Sequence, residues 1–266
     1  MKLIVQIPCL NEARDIADVI QAVPRTIDGI DVVEVLVIDD GSTDGTSAIA
    51  AEAGADHIVI NKKTLGLART FQKGISTALS LGADIVVNTD GDGQYAGSSI
   101  PELVGPIVRT EADIVVGDRK PGENKEFSSS KRMLQRVGST VVKTLAAIDV
   151  PDAVSGFRAY SRDAALRTTV FTKFSYTTET LIAAGNSGLV VASVPVETNK
   201  VERPSRLFTS VRSFVFRQMV TILRSYVMYR PLRSFMILGF TLFAIGAIPI
   251  VRFLVFYLMG DSQGHI

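Results

Sequence analysis

Asp84-Ile85-Val86-Val87-Asn88-Thr89-Asp90-Gly91-Asp92-Gly93-Gln94-Tyr95 is the stretch on which the reading of this chain turns. The apolar run Ile85–Val87 reads as a buried strand, and two acids one residue apart follow in a glycine-rich turn at its mouth. Oxygen ligands at such a place suit a hard divalent cation, Mg²⁺ or Mn²⁺. Such an ion is usually held by one or two protein carboxylates together with substrate phosphates, which implies a diphosphate-bearing substrate. An Asp-x-Asp alone is also an ordinary turn. Its neighbours decide between the two.

Upstream and downstream, strand-like runs alternate with helical ones. Leu3–Pro8, Val32–Asp39, Asp56–Ile60, Asp84–Thr89 and Ile114–Gly117 read as strands. Ala13–Val23, with Ile16, Val19, Ile20 and Val23 on one face, is an amphipathic helix between the first two. Alternation of this kind predicts an α/β fold, a mostly parallel sheet with helices on both faces. Ligands of such sheets bind at the carboxyl ends of the strands, where Pro8–Glu12, Asp39–Asp44 and Asp90–Gln94 fall. Asn11 and Glu12 are equally suited to capping the helix that follows or to holding a ligand. Neither a Gly-x-x-x-x-Gly-Lys-Ser/Thr loop nor a Gly-x-Gly-x-x-Gly after the first strand is present, which argues against P-loop and dinucleotide readings.

Net charge is +1 over 266 residues, but it is unevenly placed. Residues 1–199 hold 19 Lys+Arg against 25 Asp+Glu, and residues 200–266 hold 9 against 2. A mildly acidic body thus precedes a basic tail, which suits an anionic surface. No nucleic-acid motif accompanies the basic residues, so lipid is the expected partner and nucleic acid is not. The single cysteine, Cys9, allows no intramolecular disulfide and reads as a small buried residue at a strand end. Lys2–Pro8 already reads as a strand, so no cleavable leader is expected before it.

From Phe235 to Val251 there are 17 residues without a charge, and only Arg252 interrupts the run to Met259. The two lengths bracket a bilayer core of about 30 Å. Gly239, Gly246 and Pro249 are tolerated in a membrane helix and awkward in a soluble one. Arg224, Arg230 and Arg233 precede the segment, so the positive-inside rule places the body in the cytoplasm, and the expected location is the plasma (inner) membrane. Phe208, Val211, Phe214, Val215, Met219, Ile222, Leu223 and Tyr226 recur at helical spacing among arginines, as in an interfacial amphipathic helix. The expected organisation is a cytosolic domain over 1–205, amphipathic helices over 206–232, a transmembrane helix over 233–259 and a polar tail over 260–266.

Taken together, Pro8-Cys9-Leu10-Asn11-Glu12, Ile38-Asp39-Asp40-Gly41-Ser42-Thr43-Asp44-Gly45-Thr46, Thr89–Gln94 and Gly117-Asp118-Arg119 resemble the successive motifs of family 2 glycosyltransferases. The likeness is to the dolichol-phosphate mannose synthase branch, which glycosylates polyprenyl phosphates. Val154-Ser155-Gly156-Phe157-Arg158-Ala159-Tyr160 and Val194-Pro195-Val196 extend it, so that it covers roughly residues 1–207. The resemblance implies a GT-A type nucleotide-sugar-binding fold and an inverting, metal-dependent hexosyl transfer from a GDP- or UDP-linked sugar to a polyprenyl (dolichyl or undecaprenyl) phosphate.

Residue by residue, the resemblance implies that Pro8, Leu10, Glu12, Ile38 and Asp40 contact the nucleoside. Asp90, Asp92 and Gln94 are implied to bind the metal and diphosphate, with Gly91 lining the site. Arg119, Lys200 and Arg206 are implied to contact phosphates, with Arg203 as a further candidate, and Asp92 and Arg119 are the expected catalytic pair. Leu10 stands where an aromatic is common, and Gly91 where alanine is usual. A lipid phosphate needs cations to offset its repulsion from the donor, and Lys131 and Arg132 add to those on offer. Arg119–Ser130 is polar and breaker-rich and reads as a loop that could close over substrates. Processive synthases of the same family carry a Gln-x-x-Arg-Trp motif, whereas this chain has no tryptophan. The competing readings are transfer to another membrane acceptor, or a non-catalytic membrane protein that binds nucleotide sugars.

Overall fold

The computed structural model describes residues 1–120, 139–140, 143–144, 146, 148–171, 176–199, 219–220, 223–224, 226–228 and 230–259. They fall into two compact units, Met1–Ile222 and Leu223–Ile266. Arg132, Lys200, Arg203 and Arg206, the loop after Lys120 and most of the amphipathic stretch lie outside the described residues.

The first unit is built on a seven-stranded sheet. Its strands are β1 (Lys2–Cys9), β2 (Val32–Asp39), β3 (His57–Ile60), β4 (Ile85–Asn88), β5 (Ile114–Asp118), β6 (Arg158–Ser161) and β7 (Val191–Pro195). They lie in the order β3-β2-β1-β4-β6-β5-β7. Only β6 runs antiparallel to its neighbours. The five strand runs expected from apolar patterning are β1 to β5; β6 and β7 complete the far side of the sheet.

Both faces are covered. Leu3, Val5 and Ile7 of β1, with Val33, Val35 and Val37 of β2, pack into one core with Ile16, Val19 and Ile20 of α1 (Ile16–Gln21), Ala50 of α2 (Thr46–Glu52) and Leu103 and Val104 of α4 (Ile100–Val108). The alternate residues face α3 (Leu67–Ser80), which lies against β1 and β2 and buries Phe71 and Ile75. Two short helices, α5 (Arg162–Arg167) and α6 (Thr177–Asn186), complete the unit. Along α3, Gly74 leaves room for β1 and β2: a methyl there would lie 2.2 Å from Gln6 Oε1 and 2.8 Å from Ile38 Cδ1.

Strand order turns the chain back on itself at β1. From β1 the chain builds outward through β2 and β3, then returns to β4 on the other side. The carboxyl ends of β1 and β4 therefore part at a topological switch point, the usual ligand crevice of an open α/β sheet. The Asp90–Gln94 turn opens there.

In the second unit α7 runs from Pro231 to Leu258, 28 residues, none of them buried. It is the one helix among the described residues long and apolar enough to cross a membrane. At 1.5 Å per residue it reaches about 42 Å, more than a bilayer core. Pro231 sits in its first turn, where a missing N–H costs nothing.

Candidate active site

Two loops are stitched together beside the crevice. The Ser42 hydroxyl accepts the Asn11 N–H at 2.8 Å, the Asn11 carbonyl oxygen of the side chain accepts the Thr43 N–H at 2.9 Å, and Thr46 Oγ1 accepts the Glu12 N–H at 2.9 Å. Asp44 in turn accepts the Ala13 N–H at 3.1 Å. These bonds hold residues 11–13 against the β2 loop, so α1 starts at Ile16 and not at Ala13. Asn11 adopts a left-handed φ of 56° to make the turn, a conformation asparagine tolerates.

The acids after β2 are occupied. Asp39 accepts the Ser42 N–H at 2.7 Å and the Ser47 hydroxyl. Asp40 is buried, and its carboxylate accepts the Leu65 N–H, the Gly66 N–H and the Asn61 amide, each at 2.8 Å. Lys73 donates to Asn61 Oδ1 at 2.7 Å and extends this chain onto α3. Asp40 thus pins the 61–66 loop to the end of β2. Pro8 and Ile38 are register partners on adjacent strands, both buried, with the Ile38 side chain turned onto Gly74.

Beneath the acidic turn lies a buried polar floor. Gln6 Nε2 donates to Asn88 Oδ1 at 2.9 Å across the β1–β4 pairing, and Asn88 Nδ2 lies 2.9 Å from both the Gly156 carbonyl and Tyr176 Oη. Arg158, fully buried at the start of β6, donates to the carbonyls of Ala153, Ser155 and Thr177 and to Thr180 Oγ1, at 2.7–2.9 Å. Four donations to neutral acceptors fix the turn before β6 against the start of α6. Gly156 at the centre of that turn faces the Asp90 carboxylate. A methyl there would meet Asp90 Oδ1 at 3.3 Å and Tyr176 Oη at 2.9 Å, so the position has no room for a side chain.

Asp90 is the electrostatic centre. Among the described residues no side chain or N–H donates to its carboxylate. Loss of hydration, then the nearby charge of Asp92, raises its pKa to about 7, with Glu12 adding to the rise and Arg119 opposing it. Asp92 Oδ1 accepts the Gln94 N–H at 3.1 Å, which shapes the turn. Gly91 packs on β1: a methyl there would lie 3.1 Å from Cys9 Cβ. A side chain at this position would need Cys9 to give way by a few tenths of an ångström.

Arg119, at the end of β5, is held by Asp152. Its Nε donates to Oδ2 at 2.6 Å and its Nη2 to Oδ1 at 3.0 Å, with the Asp152 side chain fully buried and that of Arg119 9% exposed. The guanidinium lies 6.0 Å from the centre of the Tyr95 ring. That ring stacks on Phe157, and its hydroxyl accepts the Gly156 N–H at 3.2 Å. Tyr95, Gly156 and Arg158 fall within the quoted motifs without a role read for them, and Asp152 lies just outside; their contacts place them around Asp90 and Arg119.

After β7 the chain docks on the acidic turn. Thr198 bridges to Tyr95, the Asn199 N–H donates to the Gln94 carbonyl at 2.8 Å, and Asn199 Nδ2 donates to the Gly93 carbonyl at 3.0 Å. The structure therefore brings Pro8, Leu10, Glu12, Ile38, Asp40, Asp90, Gly91, Asp92, Gln94 and Arg119 to one edge of the sheet.

The donor set can be tested against a divalent cation. Among the described residues no three Asp, Glu, His or Cys side chains converge as a ready-made cage. A partly desolvated carboxylate with no donor among the described residues, next to a second carboxylate, fits a cation whose remaining positions would be filled by phosphate oxygens and water.

The glycosyl transferase family 2 model matches residues 4–167, more than half of the chain. The chain belongs to that family. It is 31% identical over 173 residues to the undecaprenyl-phosphate mannosyltransferase of Micrococcus luteus, covering 61% of this chain and 68% of that one. It is 30% identical over 169 residues to the polyprenol monophosphomannose synthase of Mycolicibacterium smegmatis, covering 61% and 62%. It is 28% identical over 213 residues to the UDP-N-acetylglucosamine–dolichyl-phosphate N-acetylglucosaminyltransferase of Methanococcus voltae, covering 72% and 83%. Among solved structures, glucosyl-3-phosphoglycerate synthase of Mycobacterium tuberculosis, in complex with Mn²⁺, UDP and phosphoglyceric acid, superposes with a TM-score of 0.65. That match has 23% identity over 85% of this chain and 78% of the other, and it shows the shared GT-A-like fold. The chain is a glycosyltransferase of family 2 with polyprenyl-phosphate sugar transferases among its relatives.

Proposed function

We propose that this chain is a membrane-anchored, metal-dependent, inverting glycosyltransferase that moves a hexose from a GDP- or UDP-linked donor to a dolichyl or undecaprenyl phosphate. The observation that carries the reading is the pairing, at one sheet edge, of Asp90, which has no hydrogen-bond donor among the described residues, beside Asp92 with an arginine fixed by its own buried carboxylate. The named polyprenyl-phosphate relatives support the acceptor class, and α7 supports the anchor.

In this reading Pro8, Leu10, Glu12, Ile38 and Asp40 form the nucleoside side of the crevice. Asp40 acts mainly by fixing the 61–66 loop, and Ile38 through its backbone. Asp90, Asp92 and Gln94 hold Mg²⁺ or Mn²⁺ and the donor diphosphate, and Gly91 allows close approach. When bound, the cation supplies Lewis acidity to the leaving diphosphate. Arg119 offers a fixed positive charge to a phosphate, and Lys200, Arg203, Arg206 and Arg132 extend that role toward the acceptor. The acceptor phosphate, with a second pKa of about 6 by analogy with phosphorylated side chains, is largely ionised at neutral pH and needs no general base. What the chain's residues do is bind, orient and neutralise. The catalytic unit lies on the cytoplasmic side of the plasma membrane. A panel of GDP-mannose, UDP-glucose and UDP-N-acetylglucosamine with polyprenyl phosphate tests the reading: one donor should label a lipid-soluble product, and labelling without added polyprenyl phosphate would refute the acceptor.

Two further outcomes follow from the same reading. With a pKa raised to about 7, Asp90 carries a proton in the metal-free fold below that pH, and a cation must displace it. Mn²⁺ affinity should climb by up to about tenfold per pH unit as pH rises toward 7, then level off. A flat profile between pH 5 and 7 would remove Asp90 from the ligand set. Deleting the chain from Phe208 onward should leave donor binding unchanged while transfer on vesicles falls, because enzyme and lipid no longer share a surface. Full activity of that truncation at equal bulk concentration would show the tail to be dispensable.

A further inference from the structure

We propose that Asp152 is a positioning residue that keeps Arg119 off the Asp90–Asp92 pair, so that the acidic pair stays open to a divalent cation. The inference rests on the reading of Asp90 and Asp92 as the metal pair. An arginine whose charge acts on Asp90 poses a problem, because its long side chain and permanent charge make it a competitor for the place a cation takes. The neighbours are in sequence around the site: the guanidinium stands over Tyr95, the Tyr95 hydroxyl takes the Gly156 N–H, and Gly156 faces the Asp90 oxygens. Asp90 has no donor of its own among the described residues and already feels the Arg119 charge, so it is an open anion for a released Arg119.

Asp152 resolves the competition. Its two oxygens take the Nε and Nη2 edge of the guanidinium in a bidentate pair, and it is fully buried, so the pair is not screened by solvent. The arginine is thereby held in one orientation and its charge is largely offset. Its Nη1 has no hydrogen-bond partner among the described residues and would be available to a phosphate oxygen. Asp152 touches neither donor nor cation; it acts through Arg119.

The test is a titration of full-length protein in detergent micelles with Mn²⁺ alone, read by the electron paramagnetic resonance of free Mn²⁺. Asp152→Asn should weaken Mn²⁺ binding at least about tenfold, equivalent to ~1.4 kcal/mol, because Arg119 moves onto Asp90. Adding Arg119→Gln to that variant should restore affinity to near the wild-type value. A purely structural role for Asp152 predicts no such recovery, so a double variant as weak as Asp152→Asn overturns the proposal. Unchanged affinity in Asp152→Asn does so too. Asp152→Glu keeps the charge and should bind Mn²⁺ like wild type; weakened binding there would also count against it, and this arm stands if the asparagine variant does not fold. If the wild-type protein takes up no Mn²⁺, the metal reading fails and the proposal falls with it. Equal binding by all four proteins overturns the role of Asp152 alone.

Discussion

Asp92→Asn is expected to lower transfer by roughly 10²–10³-fold, the scale seen when one preorganised electrostatic contact is removed from a reacting centre. The fold should survive the change. Asp92 is half-buried, and the hydrogen bond it accepts from the Gln94 N–H can be accepted equally by an asparagine oxygen. What is lost, in the proposed reading, is one of the two charges that would hold the cation, and with it the like charge that raises the pKa of Asp90. Steady-state transfer together with Mn²⁺ titration checks the result: turnover and metal affinity should fall together, and EDTA on the wild type should reproduce the loss. Near-normal turnover with intact circular dichroism would mean that Asp92 is only a turn residue.

Arg158→Met is expected to be the most destabilising single change in the first unit. The guanidinium is fully buried and makes four hydrogen bonds to carbonyl and hydroxyl oxygens, all of which lose their donor. Stranding buried acceptors and leaving a poorly filled space should cost about 3–5 kcal/mol. For a unit of this size that lowers the melting temperature by roughly 6–20 °C. The local consequence is as telling. The turn from Ala153 to Gly156 is released, so the floor under Asp90 and the seat of Asp152 loosen together. Thermal unfolding of the full chain in detergent measures the effect; a shift below about 2 °C would show that the buried arginine contributes little.

The parts of this fold legible in the sequence are those whose burial is apolar. Strands β1 to β5 announce themselves as Ile- and Val-rich runs, and Ile16, Val19 and Ile20 mark α1 by spacing. Strand β6 was not legible as a strand because Arg158 begins it, and a charged residue argues against burial until its partners are known. Those partners are backbone carbonyls and a threonine hydroxyl, groups that every sequence contains. Strand β7 escaped because Val191–Pro195 is only half-buried and ends in proline, a pattern shared with loops. The acidic turn and Arg119 were legible from motif and resemblance. Their supports were not: Asp152 lies 33 residues from the arginine it holds, and no spacing rule connects them. Asp40 shows the opposite case, an acid read as a ligand whose oxygens are largely taken up by the loop it anchors.

In the proposed reaction a hexosyl group, without its phosphate, passes from a nucleotide sugar to a lipid phosphate at the Asp90–Arg119 edge of the sheet. The nucleotide released during turnover distinguishes it from the alternatives. Full-length protein in lipid nanodiscs containing polyprenyl phosphate, supplied with Mn²⁺ and its donor, should release nucleoside diphosphate in step with the formation of a monophosphate-linked glycolipid. Both should disappear in Asp92→Asn. Release of nucleoside monophosphate with a diphosphate-linked lipid, or of nucleoside diphosphate with free sugar alone, would rule this reaction out.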